Sequence, residues 1–115
     1  RWLPAFHKSG CFYPGALDYQ ISSQGRVRRA GREIKPRINK RGYAVVDLGG
    51  RTFNLHRVVL LTFRGLPAPH LEANHKNLAR HDARLCNLEW LTHLDNIRHY
   101  RRNARKMDVD ERISA

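Results

Sequence analysis

The chain has 115 residues, of which 41% are hydrophobic, enough for one compact domain with a modest core. Its 22 Lys and Arg outnumber 10 Asp and Glu, giving a formal net charge of +12, which favours a polyanionic partner and above all nucleic acid. No apolar run approaches the ~20 residues of a membrane-spanning helix, because the longest, VVLLTF, ends at Arg64 and Gly65.

Residues 1–17 mix apolar side chains with Pro4, Gly10, Pro14 and Gly15, and are expected to form a loop-rich arm pinned by Trp2 and Phe6. Between Asp18 and Leu55 the stretches DYQIS, RVRRA, REIKPR, GYAVVDL and RTFNL read as short strands separated by turns. Pro36 directs REIKPR to an edge position. HRVVLLTFRG sets Val59, Leu60 and Phe63 at helical spacing, with Gly65 as a stop signal, and predicts a short buried helix. LPAPH is a linker. Residues 71–74 and Asn87–Leu91 are expected strands. Thr92-x-x-Asp95 has the form of a capping box opening a last helix. Leu94 and Ile97 share one face of that helix, and Asn96, His99 and Asn103 an adjacent face directed away from the core. The helix is expected to fray after Lys106 into a polar tail.

Nothing at the N-terminus reads as a signal peptide. Cys11 and Cys86 are the two cysteines, with no CxxC, so reduced thiols in a cytoplasmic protein are expected rather than a disulfide framework.

Residues 74–99 concentrate four histidines and four asparagines. The order strand, long loop, strand, helix brings Asn74 and His75 close to Asn96. Two chemistries compete for this cluster. His75, His81, Cys86, His93 and His99 offer zinc-binding atoms, although structural zinc prefers closely paired ligands such as CxxC or HxxxH. Phosphodiester hydrolysis needs a base for water and a cation for the charge that develops on phosphorus and the leaving oxygen. A neutral histidine suits the first role and a hard divalent ion on oxygen ligands the second. Asn74 and Asn96 can each present an amide oxygen, with His75 pointing across the strand.

The segments NHK and NLEWLTHLDNIRH resemble the core of the HNH endonucleases, the ββα-metal or His-Me finger group, closest to its phage and homing members. YQISSQGRVRR, GYAVVDL and LHRVVLLTFRG resemble the small β-rich module that precedes many such cores. The resemblance implies an α+β protein: a small antiparallel β-rich DNA-binding lobe with a short helix over residues 1–66, a ββα-metal nuclease core over 67–107, and a polar tail over 108–115. It implies a metal-dependent DNA endonuclease, encoded by a phage and acting in the cytoplasm of a bacterial host. Its partner is double-stranded DNA, and one Mg²⁺ or Mn²⁺ serves each active site.

Carried over by residue, the resemblance makes His75 the general base and Asn74 and Asn96 the metal ligands. Asn87 ties the loop that orients the base, and His99 matches a further family histidine with a role at the phosphate. The chain departs from the family where a DGN-like turn often follows the catalytic histidine, since it has Asn77, Leu78 and Ala79. Its metal pair is two amides without a carboxylate. A scaffold that binds DNA without cutting it is the alternative, and either a monomer or a homodimer is compatible with one cutting centre per chain. For holding DNA, the strand region supplies Arg26, Arg28, Lys35, Arg37, Lys40, Arg41 and Tyr43. His56 and Arg57 open the middle helix and Arg98 lies on the last one.

Overall fold

The computed structural model describes residues 1–10 and 13–114, with the backbone alone for 104–114. Cys11 and the side chains of Arg105 and Lys106 lie outside the described residues. Among the described residues, nine strands and two α-helices follow one another as β1 (Trp2–Pro4), β2 (Tyr19–Ser22), β3 (Val27–Arg29), β4 (Arg32–Ile34), β5 (Arg37–Ile38), β6 (Ala44–Leu48), β7 (Arg51–Asn54), α1 (Leu55–Phe63), β8 (Leu71–His75), β9 (Leu88–Thr92) and α2 (His93–Ser114). They make three antiparallel sheets, ordered β1-β2-β3-β4, β5-β6-β7 and β8-β9.

The expected strand REIKPR is two strands in two sheets. Pro36 has no N–H to donate, so the ladder stops at Ile34 and restarts at Arg37 as the edge of the second sheet. The N-terminal arm is more regular than expected, because β1 pairs with β2 in the register Trp2↔Ser22 to Pro4↔Gln20. Trp2 lies under the Arg28 guanidinium at 4.1 Å, and Phe6 is buried edge-on against Phe53 at 5.4 Å. Tight approach fixes Gly49, whose φ is +61° and where an added Cβ would sit 2.2 Å from the Gly15 carbonyl oxygen.

The helix α1 is the centre of the molecule and touches strands of all three sheets. Leu55, Val58, Val59 and Leu60 are buried on it, against Ile21 and Val27 of the first sheet, Val46 and Leu48 of the second, and Leu88 of the third. Each such burial contributes about 1.5–3 kcal/mol. The helix ends where the Arg64 and Gly65 amides both donate to the Leu60 carbonyl, Gly65 taking φ +85°. Its remaining C-terminal carbonyls are met by the arm: Lys8 N–H donates to Thr62 and Ser9 N–H to Leu61.

The last helix begins with the Asp95 amide donating to Thr92 Oγ1 at 3.2 Å, while the Asp95 carboxylate turns to Arg98 at 3.7 Å. It continues past Lys106 to Ser114, no proline or glycine interrupting it. Its inner face is more polar than expected, Ile97 being half-buried there but Leu94 not. Leu94 is 56% exposed, whereas Asn96, His99 and Asn103 are half-buried. The side of the hairpin that meets α2 carries Glu72, so polar helix residues turn towards it.

The Thr62 side chain is fully buried, and its Oγ1 accepts the Phe6 amide at 2.9 Å. Thr62→Val keeps the shape and orphans that amide, so a loss of about 1–3 kcal/mol is expected. The urea midpoint measures it; an unchanged midpoint would contradict the anchoring of the arm.

Candidate active site

The β8-β9 hairpin has two faces, set by the pairs Ala73↔Trp90, Asn74↔Glu89 and His75↔Leu88. Alternation puts Ala73, His75, Leu88 and Trp90 on the side packed against the core. Glu72, Asn74 and Glu89 lie on the other side, which α2 covers. At the end of β8 both faces open into a cleft of about 360 Å³, lined among others by Tyr43, Asn74, His75, Arg80, His93 and Asn96. Asn74 and His75 are themselves 5% and 7% exposed.

The two asparagines are oriented by carboxylates. Asn96 Nδ2 donates to Glu72 Oε1 at 2.6 Å, and Asn74 Nδ2 donates to Glu89 Oε1 at 3.0 Å. Ionised carboxylates only accept, so in each amide the NH₂ end is taken and the oxygen is left over. Glu72 also meets His93 Nδ1 at 3.2 Å. Its carboxyl is held below the usual range chiefly by the Asn96 amide, which burial opposes and His93 assists. A carboxylate not singled out from the sequence, Glu72, thus borders the cleft beside the two amides. Strand alternation from Asn74 was the signal that could have found it. His93, Arg80 and Arg101 also line the cleft and were not among the expected site residues.

Asn87 lies in a single 3-10 turn, Leu85–Asn87, just before β9. Its Oδ1 accepts the Asn77 amide at 2.9 Å, its Nδ2 donates to the Asp82 carbonyl at 3.0 Å, and its own carbonyl accepts the Lys76 amide at 2.7 Å. One buried residue thus closes the loop that follows His75. Within the loop, Leu78 takes φ +62°, a conformation that suits glycine better. Asn77 supplies the turn chemistry: its Oδ1 accepts the Ala79 amide at 2.9 Å, and its Nδ2 reaches Asp82 at 2.9 Å. The Arg84 guanidinium, bound to Asp82 at 2.8 Å, holds that carboxyl far below the usual range.

His99 donates from Nε2 to the Lys76 carbonyl at 2.8 Å, so this nitrogen serves the backbone beside the site and is not free for a phosphate. His56 also departs from its expected place. It is 7% exposed, wedged between Tyr43 at 5.3 Å and His75 at 4.6 Å between ring centroids, and contributes no surface contact. Burial is the main cause that pushes its pKa down to about 3, with His75 and Arg57 adding to it. Burial likewise lowers that of His75 and keeps it neutral. The five zinc candidates are dispersed: His75 faces His56, His93 meets Glu72, His99 meets Lys76, and His81 and Cys86 are exposed.

Among the expected DNA contacts, Lys35, Lys40, Arg41 and Arg57 are exposed. Tyr43 is half-buried in the cleft wall, with the Arg80 guanidinium 5.3 Å from its ring. Arg26 is bound by Glu33 through two hydrogen bonds of 2.7 and 2.6 Å. Arg28 donates to Gln20 at 2.6 Å, Arg37 meets Asp47 at 3.1 Å, and Arg98 meets Asp95.

A basic chain whose strand-strand-helix unit gathers a buried histidine and two oriented amides resembles the HNH endonucleases. Comparison with known proteins finds viral, phage and homing members of that class among the proteins it is similar to. Residues 8–49 match the NUMOD4 motif. The chain is 30% identical over 106 residues to an uncharacterized HNH endonuclease of Acanthamoeba polyphaga mimivirus, covering 87% of this chain and 32% of that protein. It is 32% identical over 85 residues to DNA endonuclease I-HmuI of Bacillus phage SP01, covering 69% of this chain and 49% of the phage protein. The solved structure of the HNH homing endonuclease I-HmuI, which binds and cleaves DNA, superposes with a TM-score of 0.68 at 25% identity over 96% of this chain and 66% of that one. The chain spans about a third to a half of the length of these curated relatives.

Two outcomes are expected. In Asn87→Ala the Asn77 amide loses its acceptor, so its hydrogen exchange should accelerate about tenfold or more, while the Lys76 amide, bonded to the backbone, changes less. Equal changes at both would refute the role of the side chain. His56 has a depressed folded pKa, so its contribution is present above its ordinary 6.5 and is lost as pH falls towards about 3. Urea midpoints should decline from pH 6.5 downwards, and less steeply in His56→Phe.

Proposed function

We propose that the chain is the DNA-cutting unit of a metal-dependent endonuclease that hydrolyses phosphodiester bonds in double-stranded DNA. The observation that carries this reading is the meeting of His75, Asn74 and Asn96 at one cleft, with the NH₂ ends of both amides already taken by carboxylates. Residues 67–107 form the nuclease core, and residues 1–66 hold the duplex.

The donor set fits a hard cation, since carbonyl oxygens suit Mg²⁺ or Mn²⁺ and no thiolate borders the cleft among its lining residues. Asn74 and Asn96 would hold one such ion, which supplies charge neutralisation for the scissile phosphate and the leaving oxygen. Glu89 and Glu72 fix the amides so that their oxygens need not reorganise when the ion arrives. His75 accepts the proton of the attacking water: its Nε2 is sealed from solvent, so Nδ1 is the nitrogen that serves the cleft. Burial keeps the imidazole unprotonated at neutral pH and thus ready to act as a base. Asn87 and His99 hold the backbone on either side of Lys76 and keep the base in place. Arg80 and Arg101, at the cleft, attract the phosphate. Exposed Lys35, Lys40, Arg41 and Arg57 bind the backbone of the duplex.

One cleft cuts one strand. A single copy therefore nicks, and cutting both strands needs a second copy or a second encounter.

A supercoiled plasmid incubated with the chain and Mg²⁺ or Mn²⁺ tests the reading. Metal-dependent nicking is expected, with His75→Ala lowering the rate at least about a hundredfold. If neither form cuts any of several DNAs and both retard DNA equally in a gel, the chain is a DNA-binding module and the nuclease reading falls.

A further inference from the structure

Two nitrogens on neighbouring rings are buried without a hydrogen-bond partner: Nδ1 of His56 and Nε2 of His75. Both are sealed from solvent, so water does not satisfy them, although buried polar atoms are almost always paired. The two ring centroids lie 4.6 Å apart with the planes at 56°. A separation of 4.6 Å between centroids is short enough for one nitrogen of each ring to come within the roughly 2.7–3.2 Å of a hydrogen bond. Neutral imidazoles are complementary in this respect, each carrying one N–H and one lone pair. Burial keeps His56 in that neutral form.

We propose that, in the nuclease read above, His56 is a positioning residue whose Nδ1 lone pair accepts a hydrogen bond from the Nε2–H of His75. That bond would dictate the tautomer of the base. With the proton of His75 on Nε2, the lone pair of Nδ1 faces the cleft, where the attacking water must give up its proton. The reverse arrangement, with His56 Nδ1–H donating, would put an N–H of His75 into the cleft and disable it as a base.

The surroundings hold His56 in register for this task. It sits on α1 between the buried residues Leu55 and Val58. Tyr43 lies on it at 5.3 Å and also touches His75 at 5.9 Å, so the three rings form one packed group. An ordinary core position would carry an apolar side chain of this size, because a dry nitrogen is costly there. A histidine is explained if its nitrogen has work to do.

Long-range ¹H–¹⁵N correlation spectra of the ¹⁵N-labelled chain at neutral pH report each histidine tautomer directly. His75 is expected with Nε2 protonated, Nδ1 bare and its Nε2–H slow to exchange. His56→Phe keeps a flat ring without the acceptor, and should let His75 populate both tautomers. His56→Gln returns an acceptor oxygen and should restore the single form. In the plasmid assay the same series should show kcat falling by about 10–100-fold and then recovering, with KM little changed.

A His75 that carries its proton on Nδ1 in the unmodified chain overturns the proposal, as does an unchanged tautomer in a folded His56→Phe. Should that variant fail to fold, as judged by circular dichroism, the spectrum of the unmodified chain decides alone. The spectra need no catalysis. The expected tautomers in a chain that never cuts would uphold the hydrogen bond and remove the nuclease reading instead.

Discussion

The contact of His56 with His75 joins the two halves of this chain. His56 belongs to a helix buried by all three sheets, and His75 ends the strand from which the cleft opens. In the proposed nuclease that contact contributes to what a base at His75 needs, a dry neighbour and a packed ring. A free-standing β8-β9 hairpin would have neither. Two-stranded hairpins are marginal in water, and this one would expose Leu88 and Trp90 besides. The N-terminal lobe is thus a structural requirement of the site, whatever it does with DNA.

The far side of the hairpin is held differently. α2 meets it through Asn96 on Glu72, His93 on Glu72 and His99 on the Lys76 carbonyl. Leu94 and Tyr100 are turned outwards at 56% and 59% exposure. Apolar burial is indifferent to small slides of a helix, whereas hydrogen bonds specify a register. A site that needs two amide oxygens at fixed positions gains from the second kind of joint. The loop between the strands follows the same logic, since the Asn87 side chain holds it by two directional bonds that an apolar side chain could not make.

What could be read from the residues alone divides along these lines. The strands, the buried helix over HRVVLLTF and the Thr92 cap were legible because local rules govern them: alternation, helical spacing, a hydroxyl before a helix. The meeting of Asn74, His75 and Asn96 followed from element order together with the family resemblance. The break at Pro36 was half legible, as an edge but not as a change of sheet. The inner face of α2 was read only in part, Ile97 without its polar neighbours, because periodicity says which residues share a face but not which face meets a polar neighbour. Glu72 was passed over for the same reason, and His56 was placed on the surface because a helix start beside Arg57 resembles an anion site. Both errors concern partners distant in sequence, Glu72 with Asn96 and His56 with His75, where a local pattern carries no information.

The basic residues pose a related problem, and physical magnitudes resolve it. Arg26, Arg37 and Arg98 each have an acidic partner within the chain, which at first sight removes them from any DNA interface. The pairs are exposed, however, with side-chain accessibilities of 57% and 50% for Arg26 and Glu33. Exposed ion pairs are worth about 0–1 kcal/mol, so giving one up for another anion costs little. A phosphate can therefore draw the guanidinium away or share it. Until then the carboxylate keeps the long side chain extended over the strand and reduces the conformational freedom lost on binding. Arg28 is held more firmly, between Gln20 and the Trp2 ring. Lys35, Lys40 and Arg41 are exposed on either side of β5, where in the proposed function they would follow a backbone rather than read a base.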